Sequence, residues 1–111
     1  MISKLGIHQN EYWTALVAIS SNGSLDDLTG ASIKLVIGDC DRVFVEEHAA
    51  QILNPTETGS DGNEYNLRLV VDGTTIAAGD YTSQIHITDA STRLHVHNYH
   101  PIEIFKTSLA P

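Results

Sequence analysis

The residues of this chain best equipped for chemistry are its histidines, six in all, four of them close together in sequence. His95, His97 and His100 lie within six positions, and His86 sits on the alternating run just before them. His95 and His97 are two apart, so on a strand their rings point to the same face. If the two runs form a hairpin closed by Ala90-Ser91, Ile87 lies opposite Leu94 and Ile85 opposite Val96 on the inner face. His86 then lies opposite His95, and Gln84 opposite His97, on the outer face. In that register His86, His95 and His97 could bring three imidazoles onto a zinc or nickel ion. The same pattern also suits a polar outer face, histidines packed at a subunit contact, or a contact that protonation near about pH 6 would weaken. Metal-bound rings also want carboxylate partners and a pocket, and no flanking residue stands out for that role. The expectation is therefore no metal and no other cofactor, with these three histidines as the only candidates.

The remaining reactive groups point away from catalysis. Asp39, Asp41, Asp61 and Glu64 raise the question of calcium, yet the twelve-residue ligand spacing of a calcium loop is absent. Turn chemistry accounts for Asp, Gly and Asn at Asp61-Gly62-Asn63. The single cysteine, Cys40, excludes an intrachain disulfide and reads as a small half-buried residue at a strand end. Its neighbours Asp39 and Asp41 would suppress thiolate formation. There is no Gly-x-Ser-x-Gly and no glycine-rich phosphate loop. No enzymatic activity is expected. Binding falls instead to aromatics: Trp13 and Tyr81 are assigned to the core, Tyr81 as a tyrosine corner, while Tyr12, Tyr99 and Phe105 are assigned to exposed contacts.

The elements that must position these groups are strands. Glycine-bearing turns open onto alternating runs at Ala31 to Gly38 and Tyr81 to Thr88, placing Ile33, Leu35 and Ile37, then Tyr81, Ser83, Ile85 and Ile87, on single faces. Further strands are predicted at Lys4 to His8, Tyr12 to Ile19, Val43 to Glu47, Ile52 to Asn54 (stopped by Pro55), Glu64 to Val71, Thr92 to His97 and Ile102 to Phe105. Tyr12 to Ile19 is apolar on both sides, which suggests a strand inside a sheet. In Glu64 to Val71, Tyr65, Leu67, Leu69 and Val71 point inward, and Glu64, Asn66 and Arg68 outward. Asn22-Gly23 reads as a tight hairpin turn, and Thr56 to Asn63 as a mobile polar connector. About eight strands and no amphipathic helix define an all-β chain, an immunoglobulin-like or jelly-roll-like antiparallel β-sandwich.

At 111 residues the chain is expected to form one domain, 1–111, with short arms at 1–5 and 106–111 that either fray or add a strand to a neighbour. A formal charge of −8 and scattered basic residues argue against nucleic acid. No run is long and apolar enough for a signal peptide core or a bilayer span, so synthesis in a cytoplasm and no membrane partner are expected.

Two segments carry a family resemblance: Asp27-Leu28-Thr29-Gly30-Ala31 with Ile33 and Leu35, and Ala78-Gly79-Asp80-Tyr81 with Ile85 and Ile87. Over Leu5 to Phe105 the chain resembles the immunoglobulin-like domains that tailed bacteriophages build into their virions, including the N-terminal module of baseplate upper proteins. As a single acidic domain it is similar to the small capsid decoration, or stapling, proteins of epsilon-15-like podophages. That resemblance implies a structural protein made in a bacterial host and located on the outer capsid surface. There it would bridge neighbouring major capsid subunits as a homodimer. A baseplate or tail adaptor and a carbohydrate-binding module are the alternatives. The contact residues on this reading are Ile2, Leu5, Tyr12, His95, His97, Tyr99, His100 and Phe105.

Overall fold

Residues 4–21 and 23–106 are described in a computed structural model; Ile2 and Asn22 fall outside them, as do the arms apart from Lys4, Leu5 and Lys106. The chain runs through β1 (Leu5–His8), β2 (Tyr12–Val17), β3 (Ser20–Ser21), β4 (Ser24–Leu25), β5 (Ser32–Gly38), β6 (Phe44–Ala49), β7 (Gln51–Thr58), β8 (Glu64–Asp72), β9 (Gly79–Thr88), β10 (Leu94–Asn98) and β11 (Ile102–Phe105). One 3₁₀ turn spans Gly73–Thr75, and no α-helix occurs among the described residues. The larger sheet has the order β1-β11-β9-β5-β6, with β10 also beside β9. The smaller sheet is β2-β8-β7, and β3 and β4 form a short hairpin of their own. All pairings are antiparallel except β1 with β11. The fold is an all-β sandwich.

The sandwich forms because period-two alternation gives each sheet one apolar face. Ile33, Leu35 and Ile37 of β5, Ile85 and Ile87 of β9, and Ile102 and Ile104 of β11 meet Leu67, Leu69 and Val71 of β8 in one buried cluster. The chain changes sheets four times, twice at tight crossings: the bend after His8 and the passage through Ala50. At the first, Gly73 N–H donates to the Glu11 carbonyl at 2.9 Å, and a Cβ at Gly73 would lie 2.8 Å from the carbonyls of His8 and Glu11.

Several expectations need correction. β2 is an edge strand of the smaller sheet, not an interior one. β7 continues through Pro55 to Thr58, with its ladder interrupted between Ile52 and Glu57; an edge tolerates proline because one flank needs no donor. The connector after β7 is thereby reduced to a tight turn, in which Gly59 N–H donates to Asn63 O at 2.8 Å. Asn66 lies on the back of β8 as expected but is buried beneath the excursion between β2 and β5. Cys40 is exposed in a turn, not half-buried.

The last hairpin also differs, by one residue. Its loop is closed by Asp89 and Arg93: Asp89 N–H donates to Arg93 O, and Thr92 N–H donates to Asp89 O, both at 2.9 Å. Asp89 Oδ1 accepts from Ser91 N at 2.9 Å and Arg93 N at 3.0 Å, and Thr92 takes a left-handed φ of 64°. The Asp39 turn is built the same way, with Arg42 at φ 63°. This is a type I turn followed by a left-handed residue, one residue longer than a two-residue hairpin loop. The pairs are consequently Leu94 with Thr88, His95 with Ile87, Val96 with His86 and His97 with Ile85. Every side chain of β10 is on the face opposite to expectation.

A bulge then resets the parity. Between the pairs Asn98–Gln84 and Ile102–Tyr81, β9 spends Thr82 and Ser83 while the facing chain spends Tyr99, His100 and Pro101. The extra residue returns Ile102 and Ile104 to the core.

Candidate functional site

The register of β10 builds an open strand edge. All five residues Leu94–Asn98 are exposed, and among the described residues only β9 pairs with this strand. β1 guards β11 alone, from Ile102 to Phe105. On the outer face of the sheet Leu94 and Val96 are 59% and 47% exposed. On the inner face His95 and His97 stand beyond the cover of the smaller sheet. They form one wall of a groove of about 580 Å³, opposite Ser20, Asp26 and Thr29, with Ile19, Leu28 and Ile87 in its floor.

The opposite wall is held by Asn66. Its side-chain Oδ1 accepts from Ile19 N at 2.8 Å, and its Nδ2 donates to the carbonyls of Ile19 at 2.9 Å and Asp26 at 3.0 Å. A single buried amide thus ties the excursion to β8. In the near wall His95 Nε2 lies 2.9 Å from Asp89 Oδ2. That imidazole, followed by the N–H groups of Arg93 and Ser91, holds the Asp89 carboxyl below the ordinary aspartate value.

The three histidines do not converge. His86 is on the outer face beside Lys34 and Val96, where its ring meets Gln84 Oε1 at 2.9 Å. His95 and His97 are on the inner face. Among the described residues no three His, Cys, Asp or Glu side chains come together as metal ligands.

The other expected contacts divide between the two ends of the sandwich. Phe105 and Tyr12, the latter 69% exposed, lie near the bend between β1 and β2. Along β9 this is about 26 Å from His95, at roughly 3.3 Å per residue for the eight residues from Gly79 to Ile87. Phe105 tilts against His8 with ring centroids 5.4 Å apart. Leu5 is half-buried against the core and pairs with Ile102. Tyr99 is also packed on the core rather than turned outward, because its partner Ser83 faces inward; burial raises its hydroxyl pKa. His100 is half-buried beside it, ring centroids 4.6 Å apart. Tyr81 makes the expected corner, its hydroxyl donating to Ala77 O at 2.6 Å.

One polar cluster escaped the sequence reading. Glu46 and His48 share the inner face of β6, with Glu46 Oε2 2.6 Å from His48 Nε2 and accepting from Thr75 Oγ1 at 2.8 Å. The Glu46–His48 approach is close but lies off hydrogen-bonding alignment, so it is an electrostatic contact. A strand ending at Glu47 gave no reason to place His48 inside. The signal that could have found the pair was the two-residue spacing of Glu46 and His48.

Of the four acidic residues considered for calcium, two spend their carboxylates on turns. Asp39 caps its own loop, while Asp61 accepts from Asn63 N at 3.0 Å and from the Tyr65 hydroxyl. The Tyr65 contact is the main cause of a lowered Asp61 pKa.

No protein-family model matches the chain, and no curated protein does. Among solved structures it is similar to the crystal structure of CopC from Methylosinus trichosporium OB3b, at 12% identity and a TM-score of 0.45, over 95% of this chain and 86% of that one.

Proposed function

We propose that this protein is a structural, non-enzymatic β-sandwich that binds other proteins, and that its setting is the outer surface of a tailed-phage capsid. There it bridges neighbouring major capsid subunits and cements the shell. The observation that carries the protein-binding part is β10: five consecutive exposed residues on a sheet edge that no other described residue pairs with, with Leu94 and Val96 outward. Soluble proteins normally blunt such edges, so one left open invites a partner. The carboxylates nearest to chemistry serve turns, which supports a scaffold over a catalyst. The capsid setting is supported by the sequence resemblance.

Binding only the assembled shell would stabilise it by mass action, and many modest contacts would sum over its surface. The test is quantitative gel densitometry of purified particles against the major capsid protein. A near-stoichiometric band is the expected result. A handful of copies per particle would mean the baseplate or tail adaptor instead, and absence from the particle would end both readings. A carbohydrate-binding role finds less support, since Trp13 packs against the core.

A further inference from the structure

The open edge of β10 and the groove beside it form one surface whose hydrogen-bonding groups can be assigned. Asp89 N–H donates to Arg93 O, and Tyr99 N–H donates to Ser83 O at 3.0 Å. Antiparallel pairs alternate between bonded and non-bonded, so residues 95 and 97 also spend their backbone groups on β9. Leu94, Val96 and Asn98 therefore direct N–H and C=O away from β9, to a side where no described residue pairs with them. The strand reads Leu-His-Val-His-Asn and carries none of the lysines, prolines or bulges that usually protect an edge.

The two faces beside this edge differ in chemistry. The outer face offers Leu94 and Val96. The groove face has an apolar floor and three carboxylates, Asp26, Asp27 and Asp89, and none of its lining residues is Lys or Arg. An added strand presents its side chains alternately to these two faces.

We propose that β10 takes up an extended basic segment of a partner protein as an added strand. Its backbone pairs with Leu94, Val96 and Asn98. Apolar residues lie beside Leu94 and Val96, and alternate Lys or Arg side chains enter the groove toward Asp26, Asp27 and Asp89. Charge complementarity selects this occupant over a second copy of the chain. Self-pairing about Val96 would set His95 beside His97 across the junction, and would join two acidic grooves in chains of formal charge −8. The inference deepens the protein-binding reading above and does not depend on the capsid.

The probe is a capped heptapeptide of alternating valine and arginine, titrated into the full chain by isothermal calorimetry. Saturable 1:1 binding is expected, falling by about tenfold when sodium chloride is raised to about 0.5 M. The same peptide with glutamate for arginine should not bind. A peptide of the same composition in blocked rather than alternating order, and one N-methylated on its pairing amides, should each lose about tenfold or more in affinity. Val96→Pro removes an outward N–H without touching the β9 ladder, and should produce a similar loss with an unchanged thermal melt. Asp26→Asn should weaken the arginine peptide selectively. Equal binding of the blocked or N-methylated peptides would overturn the proposal, as would no binding at all or indifference to Val96→Pro. A chain found dimeric by sedimentation, and made monomeric by Val96→Pro, would hand the edge to a second copy instead. None of these outcomes alters the copy number on the particle, so the two readings fail separately.

Discussion

Asn66→Ala removes the buried amide that ties one wall of the groove to β8. Asn66 is 3% exposed and bonds to both backbone groups of Ile19 and to the carbonyl of Asp26. The alanine variant leaves the Ile19 N–H and the Asp26 carbonyl without partners, while the Ile19 carbonyl keeps the Asp26 N–H at 2.9 Å. Ile19 is itself buried, so its N–H cannot reach water unless the segment lifts; the Asp26 carbonyl is only part-buried and rehydrates more easily. Leaving a buried group unsatisfied costs about 1–3 kcal/mol, so the single orphaned Ile19 N–H places the loss at about 1–3 kcal/mol. A domain of this size has about 5–15 kcal/mol in all. The expected result in urea is a lower midpoint with an unchanged slope, and in calorimetry a Tm lower by about 5–15 °C. Amide exchange at Ile19 should accelerate while that of Leu69, in the centre of β8, follows only the global change. A loss under about 1 kcal/mol with Ile19 still protected would refute the claim that this amide holds the wall.

Other expectations follow from the turns and from the polar pair in β6. Thr92 is a β-branched residue at φ 64°, so Thr92→Asn should raise stability by about 0.5–1 kcal/mol in urea titrations. Asp27, Asp61, Asp72 and Asp89 all lie below the ordinary value of 3.8, held down chiefly by Thr29, Tyr65, Thr74 and His95 respectively. Near pH 3.8 the unfolded chain binds more protons than the folded one, so their stabilisation is full above that pH and is lost as pH falls through the lower native values. Urea midpoints measured from pH 6 down to pH 2.5 should show this acid limb, and Asp89→Asn should make it shallower. Glu46→Ala removes one of two acceptors of the Thr75 hydroxyl, which keeps the Asp72 carbonyl, and the partner of His48, and should cost about 0.5–1.5 kcal/mol. Adding His48→Leu to that variant should recover much of the loss, because an apolar side chain needs no partner there; no recovery in the double variant would mean the pair does not act as a unit.

How much of this was legible in the sequence depended on how far apart the deciding residues lie. The inward faces of β5, β8, β9 and β11 could be read directly, since Ile33, Leu35, Ile37, Leu67, Leu69, Val71, Ile85, Ile87, Ile102 and Ile104 alternate and are all buried. The corner made by Tyr81 was equally local, spanning four residues. Asn66 was misread because alternation gives its face but not its burial; the segment that covers it comes from Ile19, 47 residues away. Pro55 reads as a stop because the sequence does not reveal that β7 lies at a sheet edge, with only β8 beside it among the described residues.

The hairpin was misjudged for a different reason, and the difference decides the surface chemistry of the protein. A left-handed position is usually announced by Gly or Asn, and here it is held by Thr92. What stabilises the turn is Asp89, whose carboxylate collects the N–H groups of Ser91 and Arg93 and makes a three-residue loop favourable without glycine. Asp39 does the same for Asp41 and Val43. One residue more in the loop exchanges the two faces of β10. With the shorter loop, Leu94 and Val96 would lie on the inner face and His95 would stand across from His86, an arrangement suited to a metal ion. With the longer loop, His95 and His97 line an acidic groove while two aliphatic side chains are left on the outside. A second parity change, the bulge at Tyr99 to Pro101, then restores Ile102 and Ile104 to the core. The exposed strand therefore lies between two register shifts, one at each end. Its outward aliphatics and inward histidines are local consequences of those shifts, obtained without disturbing the sandwich core that carries them.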